Sequence, residues 1–331
     1  MKTLAVVTET PAALATRLVE QAKPFLESHL APGTRRVHER HWRGFETWYT
    51  EKGLELREAL SEPLLVGYLG ELATQPRERT GRPYKTKVVE LVYASIRATR
   101  REAGAPLGAM PNVERFLEGL RRRRVLEGER VTQKAPISIA MLKAMVSTLP
   151  ADTYVGARDR AILVLGFAGA FRRSELALLD VDDVTFVDEG IVVRVKKSKT
   201  NQKGSREEKA IHTARDPAVC AARLVRTWIL LLAEAKGPLF RTIRRGGHVT
   251  PERLTDRSIA ELVKRTTKAA GLDPALFSGH SMRAGFMTAG AAKGLQLHDL
   301  MRQSGHKSER IARGYIRHAN MFTNNPTKDL L

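Results

Sequence analysis

The sequence predicts a mainly α protein with one small β-sheet, built as an all-helical N-terminal domain followed by a mixed α+β C-terminal domain. Three observations predict it. Apolar residues recur at helical spacing from residue 11 to residue 124, with no strand-like alternation among them. Two-residue alternation is confined to 184–195 and 208–212, on either side of turn residues. A polar, charged stretch from 125 to 136 separates the two patterns, and a chain of 331 residues is long enough for two domains.

Residues 1–10 read as a flexible arm. Pro11 to Leu30 carries Leu14, Leu18, Val19 and Phe25 at helical spacing, with Pro24 as a possible break. A turn at 31–34 leads into a helix over 35–52 with Thr34 as its N-cap and Gly53 as its stop. That helix pairs basic residues (Arg35, Arg36, Arg40 and Arg43) with Trp42, Phe45, Trp48 and Tyr49, aromatics read as core. Residues 62–74 form a short buried helix. A polar loop over 75–85 carries Arg82 and Lys85, and the helix at 84–103 adds Lys87 near its start. A last helix spans 113–124. Its end carries Arg121, Arg122, Arg123 and Arg124, which open the basic linker of 125–136 and are read as a strap following a phosphate backbone.

The C-terminal domain, 137–331, begins with a helix over 137–149 capped by Ser138, then an apolar helix over 159–170 that must be buried. It runs into Phe171-Arg172-Arg173-Ser174-Glu175-Leu176. An arginine next to a buried helix needs an acidic partner, and Glu175 stands one helical turn after Arg172. A hairpin follows, 184–187 with 191–195 about the Asp188-Glu189-Gly190 turn, and 208–212 returns as a third strand. The turn between the last two strands is rich in lysine, including Lys196, Lys197, Lys199 and Lys203. Asp216-Pro217 caps a helix running to about 235. Residues 239–247 read as a basic loop carrying Arg241, Arg244 and Arg245. Helices over 256–270 and 280–293 follow, closed by Gly271 and Gly294, and a tail spans 316–331.

Lysine and arginine number 56 against 36 aspartates and glutamates, a formal charge of +20. Such an excess attracts polyanions, nucleic acid first. One cysteine, Cys220, excludes an intrachain disulfide and a CxxC metal site. The histidines form no HExxH pair, so no metal is expected. The N-terminus lacks a secretory pattern, and the apolar run at 161–170 falls short of the roughly 20 residues that span a bilayer. A cytoplasmic, nucleoid-associated protein without a membrane partner is expected.

The chemistry concentrates in 277–318. His280 and Arg283, at i and i+3, can address one anion, and a guanidinium suits phosphate. His306 and Tyr315 follow, and a tyrosine beside a phosphate clamp is a potential nucleophile. Nine residues of straight helix would place those two side chains on opposite faces, so the chain must bend between them. Gly314 is a candidate for the bend. The other tyrosines (Tyr49, Tyr68, Tyr84, Tyr93 and Tyr154) lie in apolar or N-terminal contexts.

Together, Phe171 to Leu176, Lys199-Thr200, His280-Ser281-Met282-Arg283, and Gly305-His306 with Tyr315 nine residues on resemble the tyrosine recombinase (phage integrase) family. The resemblance covers the second domain closely, and the helical domain resembles the family's DNA-binding core-binding domain. It implies a site-specific DNA recombinase that cuts and rejoins strands through a 3′-phosphotyrosine bond and a Holliday junction, without cofactor or metal. It implies Arg172, Lys199, His280, Arg283, His306 and Tyr315 as catalytic residues, with Glu175 supporting Arg172 and Lys199 protonating the leaving 5′ oxygen. Lys196, Lys197 and Lys203 are rivals for that last role. Candidate DNA contacts are Arg35, Arg36, Arg40, Arg43, Arg82, Lys85, Lys87, Arg121, Arg122, Arg123, Arg124, Lys197, Arg241, Arg244 and Arg245. The expected partner is duplex DNA with an inverted-repeat site, bound by a homotetramer in synapsis and by a monomer or weak dimer otherwise. An accessory DNA-bending protein or a second recombinase could join it, and the tail could dock on a neighbouring protomer. Arg173, Met282 and Ala284 depart from the family pattern and favour an integrase or resolvase of a mobile element over a Xer-type housekeeping enzyme. A type IB topoisomerase-like activity and a catalytically silent DNA-binding regulator are the alternatives.

Overall fold

A computed structural model describes residues 10–27, 29–55, 60–129, 134–196, 207–234 and 236–319. The chain divides into two compact units, 1–131 and 132–331.

The first unit is all helical: α1 (Pro11–Glu27), α2 (Pro32–Glu51), α3 (Glu62–Thr74), α4 (Thr86–Glu102) and α5 (Pro111–Leu126). Helices α2 to α5 share a core of Phe45, Tyr49, Leu65, Leu69, Val89, Ile96, Val113 and Leu117. The aromatics of α2 belong to it: Phe45 meets Tyr49 and Tyr68 at ring-centroid distances of 5.4 and 5.1 Å. The two flanking indoles, partly buried, each donate to a carboxylate, Trp42 to Glu46 and Trp48 to Glu71. Pro24 does not interrupt α1, whose Leu18, Val19 and Phe25 are exposed. Helix α2 starts at Pro32, earlier than its sequence suggests, because proline fits a first turn that has no backbone donor to lose. Gly53 adopts a left-handed φ of 73° and stops it.

The arginine run read as a strap stays within the helix. Arg121 to Arg124 occupy the last turns of α5, where Glu90, Glu118, Glu127 and Glu129 pair with them. The glutamates, spaced by helical turns on α5 or carried by α4 and the residues just after α5, let the run continue the helix.

The second unit contains α6 (Ile139–Ser147), α7 (Tyr154–Ala168), α8 (Arg173–Leu178), β1 (Val184–Val187), β2 (Gly190–Val195), β3 (Glu207–His212), α9 (Ala221–Leu232), β4 (Arg241–Ile243), β5 (Val249–Arg253), α10 (Asp256–Ala269), α11 (Ser281–Ala292), α12 (Leu297–Ser304) and α13 (Glu309–Ala319). Ser138 caps α6 and Thr153 caps α7 through their side-chain oxygens. Helix α7 is the axis of the core; Ala161 to Leu165 are buried without exception. Asp159, also buried on it, is paired by Arg158 and Arg265, which supplies the compensation a buried carboxylate requires.

The three-stranded sheet has the order β1-β2-β3, antiparallel throughout, with Val193 opposite Lys209 and Val195 opposite Glu207. On β3, Lys209 and Ile211 face inward. Two expectations are corrected. The basic loop of 239–247 is part of a second hairpin, β4 with β5, and the segment from Asp216 is broken: a 3₁₀ turn at Pro217–Val219 precedes α9. Asp216 does cap, accepting from Ala218 N, but the cap closes the short turn.

Candidate active site

Four segments converge on one place: the turn between α7 and α8, the start of α11, the inner face of β3, and the α12–α13 corner. The first is strained. Ala170 adopts φ 47°, a left-handed conformation that costs a non-glycine residue roughly 1–2 kcal/mol. Its carbonyl accepts from Arg283 Nη1 at 2.8 Å, which ties the turn to α11. Two residues on, Arg172 stands just ahead of α8. Glu175, buried, accepts from the Arg172 backbone N at 2.9 Å and pairs with its guanidinium. The spacing of three serves helix capping and arginine positioning together.

Arg283 is 4% exposed. Its Nη2 is buried and has no hydrogen-bond partner among the described residues. An unsatisfied donor on a buried guanidinium is costly unless an anion completes it. Burial, and next the like charge of Arg172, pull Arg283 down to about 10. Two crowded guanidiniums with an open donor form a receptor for an anion such as a phosphate. His280 stands at the N-cap of α11 with its ring exposed, whereas Arg283 is buried.

The bend that brings His306 and Tyr315 together is not at Gly314, which lies inside α13. It is at Gly305, the left-handed cap of α12 with φ 66°, after which the chain turns and enters α13 at Glu309. His306 thus sits in the corner and Tyr315 on the helix, their rings 5.7 Å apart between centroids. Arg172 Nη2 donates to the Gly305 carbonyl at 3.4 Å, linking the corner to α8. The Nδ1 of His306 lies 2.7 Å from the buried hydroxyl of Ser304. Burial first, then the charges of Arg283, Arg172 and Lys209, push His306 down to about 4, so its ring is neutral at pH 7. Tyr315 is half-buried against Met287, Ala291, Leu300 and Ala312.

Lys197, Lys199 and Lys203 lie outside the described residues. Lys196 is engaged with Asp180 and Asp183 at 2.6 and 3.2 Å. The structure adds two residues that the motifs do not contain. Ser304 orients His306, and Lys209 lies buried among the site's charges. The inward alternation of β3 is the available sign for Lys209; nothing in the sequence marks Ser304.

Among the candidate DNA contacts, Arg36, Arg40, Arg43, Arg82, Lys85, Lys87 and Arg245 are exposed and Arg35 is half-buried. Arg244 is exposed beside Glu252 at 3.7 Å. Arg124 is largely enclosed, donating to the Ala73 carbonyl at 2.6 Å. Arg241 is a correction. It is 3% exposed and its guanidinium is taken up by the Pro238 and Lys236 carbonyls and by Glu234. It braces the loop before β4 and is not presented to a ligand.

Residues 140–321 match the model of the phage integrase family. An integrase/recombinase xerD homolog of Selenomonas ruminantium is 33% identical over 312 residues, covering 93% of this chain and 88% of that protein. The fold is that of solved integrases. The Tn1549 transposon integrase in complex with transposon right end DNA aligns with a TM-score of 0.63 at 17% identity, covering 96% of this chain and 99% of the other. A lambda integrase dimer bound to a COC′ core site aligns at 0.60 and 16% identity, covering 91% and 94%. The chain belongs to the phage integrase family. It is a tyrosine-type site-specific DNA recombinase.

Proposed function

We propose that the chain is the integrase or resolvase of a mobile element and that Tyr315 is its nucleophile. The observation that carries the site assignment is the buried, half-satisfied Arg283 beside Arg172, with His306 and Tyr315 gathered at the same place. Arg172 and Arg283 bind the non-bridging oxygens of the scissile phosphate and stabilise the charge that grows in the five-coordinate transition state. Neutral His306 accepts the Tyr315 proton. The phenolate attacks phosphorus, the 5′ oxygen leaves with a proton supplied by Lys199, and a 3′-phosphotyrosine bond forms. Its energy equals that of the bond broken, so rejoining needs no ATP. His280 supports the phosphate from the start of α11, and Glu175 holds Arg172.

The substrate is duplex DNA with an inverted-repeat site. The exposed basic residues of α2, α4 and the α3–α4 loop are the backbone contacts of the first unit, and a homotetramer holds two synapsed sites. An accessory bending protein or a second recombinase could complete the assembly in the cytoplasm. The mobile-element role rests on Arg173, Met282 and Ala284, which depart from the pattern of Xer-type enzymes.

A nicked suicide duplex carrying the element's own attachment site tests the chemistry. Wild type, incubated with EDTA, traps a covalent protein–DNA band on a denaturing gel, and Tyr315→Phe traps none. A band that survives the substitution removes Tyr315 as nucleophile. Binding without any band favours the silent regulator, and relaxation of plasmids lacking the site favours a topoisomerase.

A further inference from the structure

Lys209 has no task in the scheme above, yet it occupies the site's interior. Its side chain is 1% exposed. Titratable groups from four parts of the site face it: Glu207 on its own strand, with Oε1 at 4.0 Å, Arg172 and Glu175 at the start of α8, Arg283 on α11, and the neutral ring of His306 after α12. The Phe171 ring lies beneath the ammonium, 5.1 Å from its centroid. The Nζ donates to the Gln303 carbonyl in the last turn of α12, two residues before Gly305. The Gln303 side chain returns a bond to the Ala210 carbonyl of β3 at 3.0 Å.

A buried lysine is an expensive way to join a strand to a helix. Burial pulls its amine down to about 8, with Glu175 and Glu207 favouring the charge and Arg283 and Arg172 opposing it. A methionine would fill the same space without that penalty, since hydrophobic replacements of buried ionic groups are often neutral or stabilising. What an apolar side chain could not do is hold the carbonyl that ends α12. Beyond that carbonyl, Gly305 lies against the Glu207 side chain at the start of β3: a Cβ there would stand 2.6 Å from Glu207 Oε1. That same end of β3 follows 197–206 in the chain, the segment that contains Lys199.

We propose that Lys209 is a positioning residue for strand cleavage: its ammonium pins the last turn of α12 to β3 and so fixes His306 relative to Arg172 and Arg283. The proposal rests on the functional reading above, and β3 joins the His306 corner to the segment that precedes the strand in the chain, 197–206. As the ammonium loses its proton the charge in the pin disappears, and cleavage falls with rising pH.

The test uses the full chain and single-turnover cleavage of the suicide duplex. Wild type with a Tyr315→Phe control comes first: no covalent complex from wild type would sink the functional reading, separately from this inference. Lys209→Met is expected to bind the duplex within about twofold of wild type, to melt no lower, and to cleave roughly tenfold to a hundredfold more slowly. A second measurement places γ-thialysine at 209. It keeps the shape and the charge but has a more acidic amine, so the alkaline limb of the rate profile moves to lower pH. Cleavage by Lys209→Met within threefold of wild type overturns the proposal. So does a thialysine enzyme whose alkaline limb coincides with that of wild type, because a purely structural brace would not feel the change in acidity.

Discussion

At the scale of single residues the site is a set of charges held away from their ordinary states by burial and by one another. His306 shows the consequence most directly. Its folded pKa of about 4 lies below the ordinary histidine value of 6.5. Between those values the unfolded chain binds more protons than the folded one, so stability rises with pH across that window and falls as the solution is acidified. Phenylalanine at 306 is expected to flatten the acid side of the melting-temperature profile between about pH 4 and 6.5; an unchanged profile would place the sensitivity elsewhere. The neutral ring also needs a fixed tautomer. The Ser304 hydroxyl faces the Met301 carbonyl at 3.4 Å as well as His306 Nδ1 at 2.7 Å. If it donates to the carbonyl, Nδ1–H donates to it, leaving Nε2 to accept a proton. Ser304→Ala is then expected to slow cleavage roughly tenfold while DNA affinity stays the same, measured on the same nicked duplex. Glu175→Gln tests a different link. It removes the charge that compensates a largely buried Arg172 and is expected to cost about 2–3 kcal/mol in urea unfolding, with cleavage lost as well.

At the scale of elements, the decisive feature is a corner. The sequence alone requires a bend between His306 and Tyr315, because nine residues of helix would separate them. Two glycines lie near enough to serve, and the one beside Tyr315 is the wrong one. Gly314 sits in α13 with nothing among the described residues within 4 Å of where a methyl would project, whereas Gly305 carries the left-handed φ of 66° and abuts the Glu207 side chain. Gly314→Ala is therefore expected to stabilise by up to about 1 kcal/mol and keep cleavage. Gly305→Ala should slow cleavage, since its left-handed φ strains any residue with a Cβ and the Glu207 carboxylate would have to move aside; equal tolerance of the two alanines would refute this assignment of the corner. The Arg172–Glu175 pair is legible in the sequence because helix spacing brings i and i+3 together, while Arg283, His306 and Tyr315 stand out as candidates through the order of their motifs. Less is legible elsewhere. Ala170 takes the left-handed φ that closes α7, with Phe171 N donating to the Gly166 carbonyl, at a place where glycine is usual, and an alanine announces nothing. The β4–β5 hairpin is hidden by Arg241, Arg244 and Arg245, which read as a basic loop although Arg241 is tucked under its own turn. The four arginines of α5 read as a phosphate strap because a run of like charge invites an anion; the glutamates that pair with it lie partly on other elements, out of reach of local reading.

At the scale of the whole molecule, a formal charge of +20 has to be divided between charge that holds the fold and charge that is offered to DNA. The ion pairs make that division. Arg241, Arg158 and Arg172 are enclosed and matched by acids or carbonyls, and Arg121, Arg122 and Arg123, although exposed, each have a glutamate within 2.9 Å. Lys85, Lys87 and Arg82 are exposed and close together in sequence at the α3–α4 loop and the start of α4. Each phosphate neutralised releases condensed counterions, so the logarithm of affinity falls linearly with the logarithm of salt concentration, at about 0.9 per contact. A protein of this charge making six to ten such contacts loses roughly a thousandfold to a hundred-thousandfold in affinity between 50 and 200 mM salt. The individual substitutions then separate the two kinds of cation. Lys87→Gln is expected to reduce the salt slope by about one contact and leave the melting temperature unchanged. Arg241→Gln is expected to lower the melting temperature and leave the slope as it was. Fluorescence anisotropy titrations of a labelled duplex at four salt concentrations, beside thermal melts of the same samples, measure both. If Arg241→Gln changed the slope by as much as Lys87→Gln, burial would be the wrong criterion for sorting the charge. The basic excess would then have to be treated as a diffuse field around the protein and not as a set of discrete contacts.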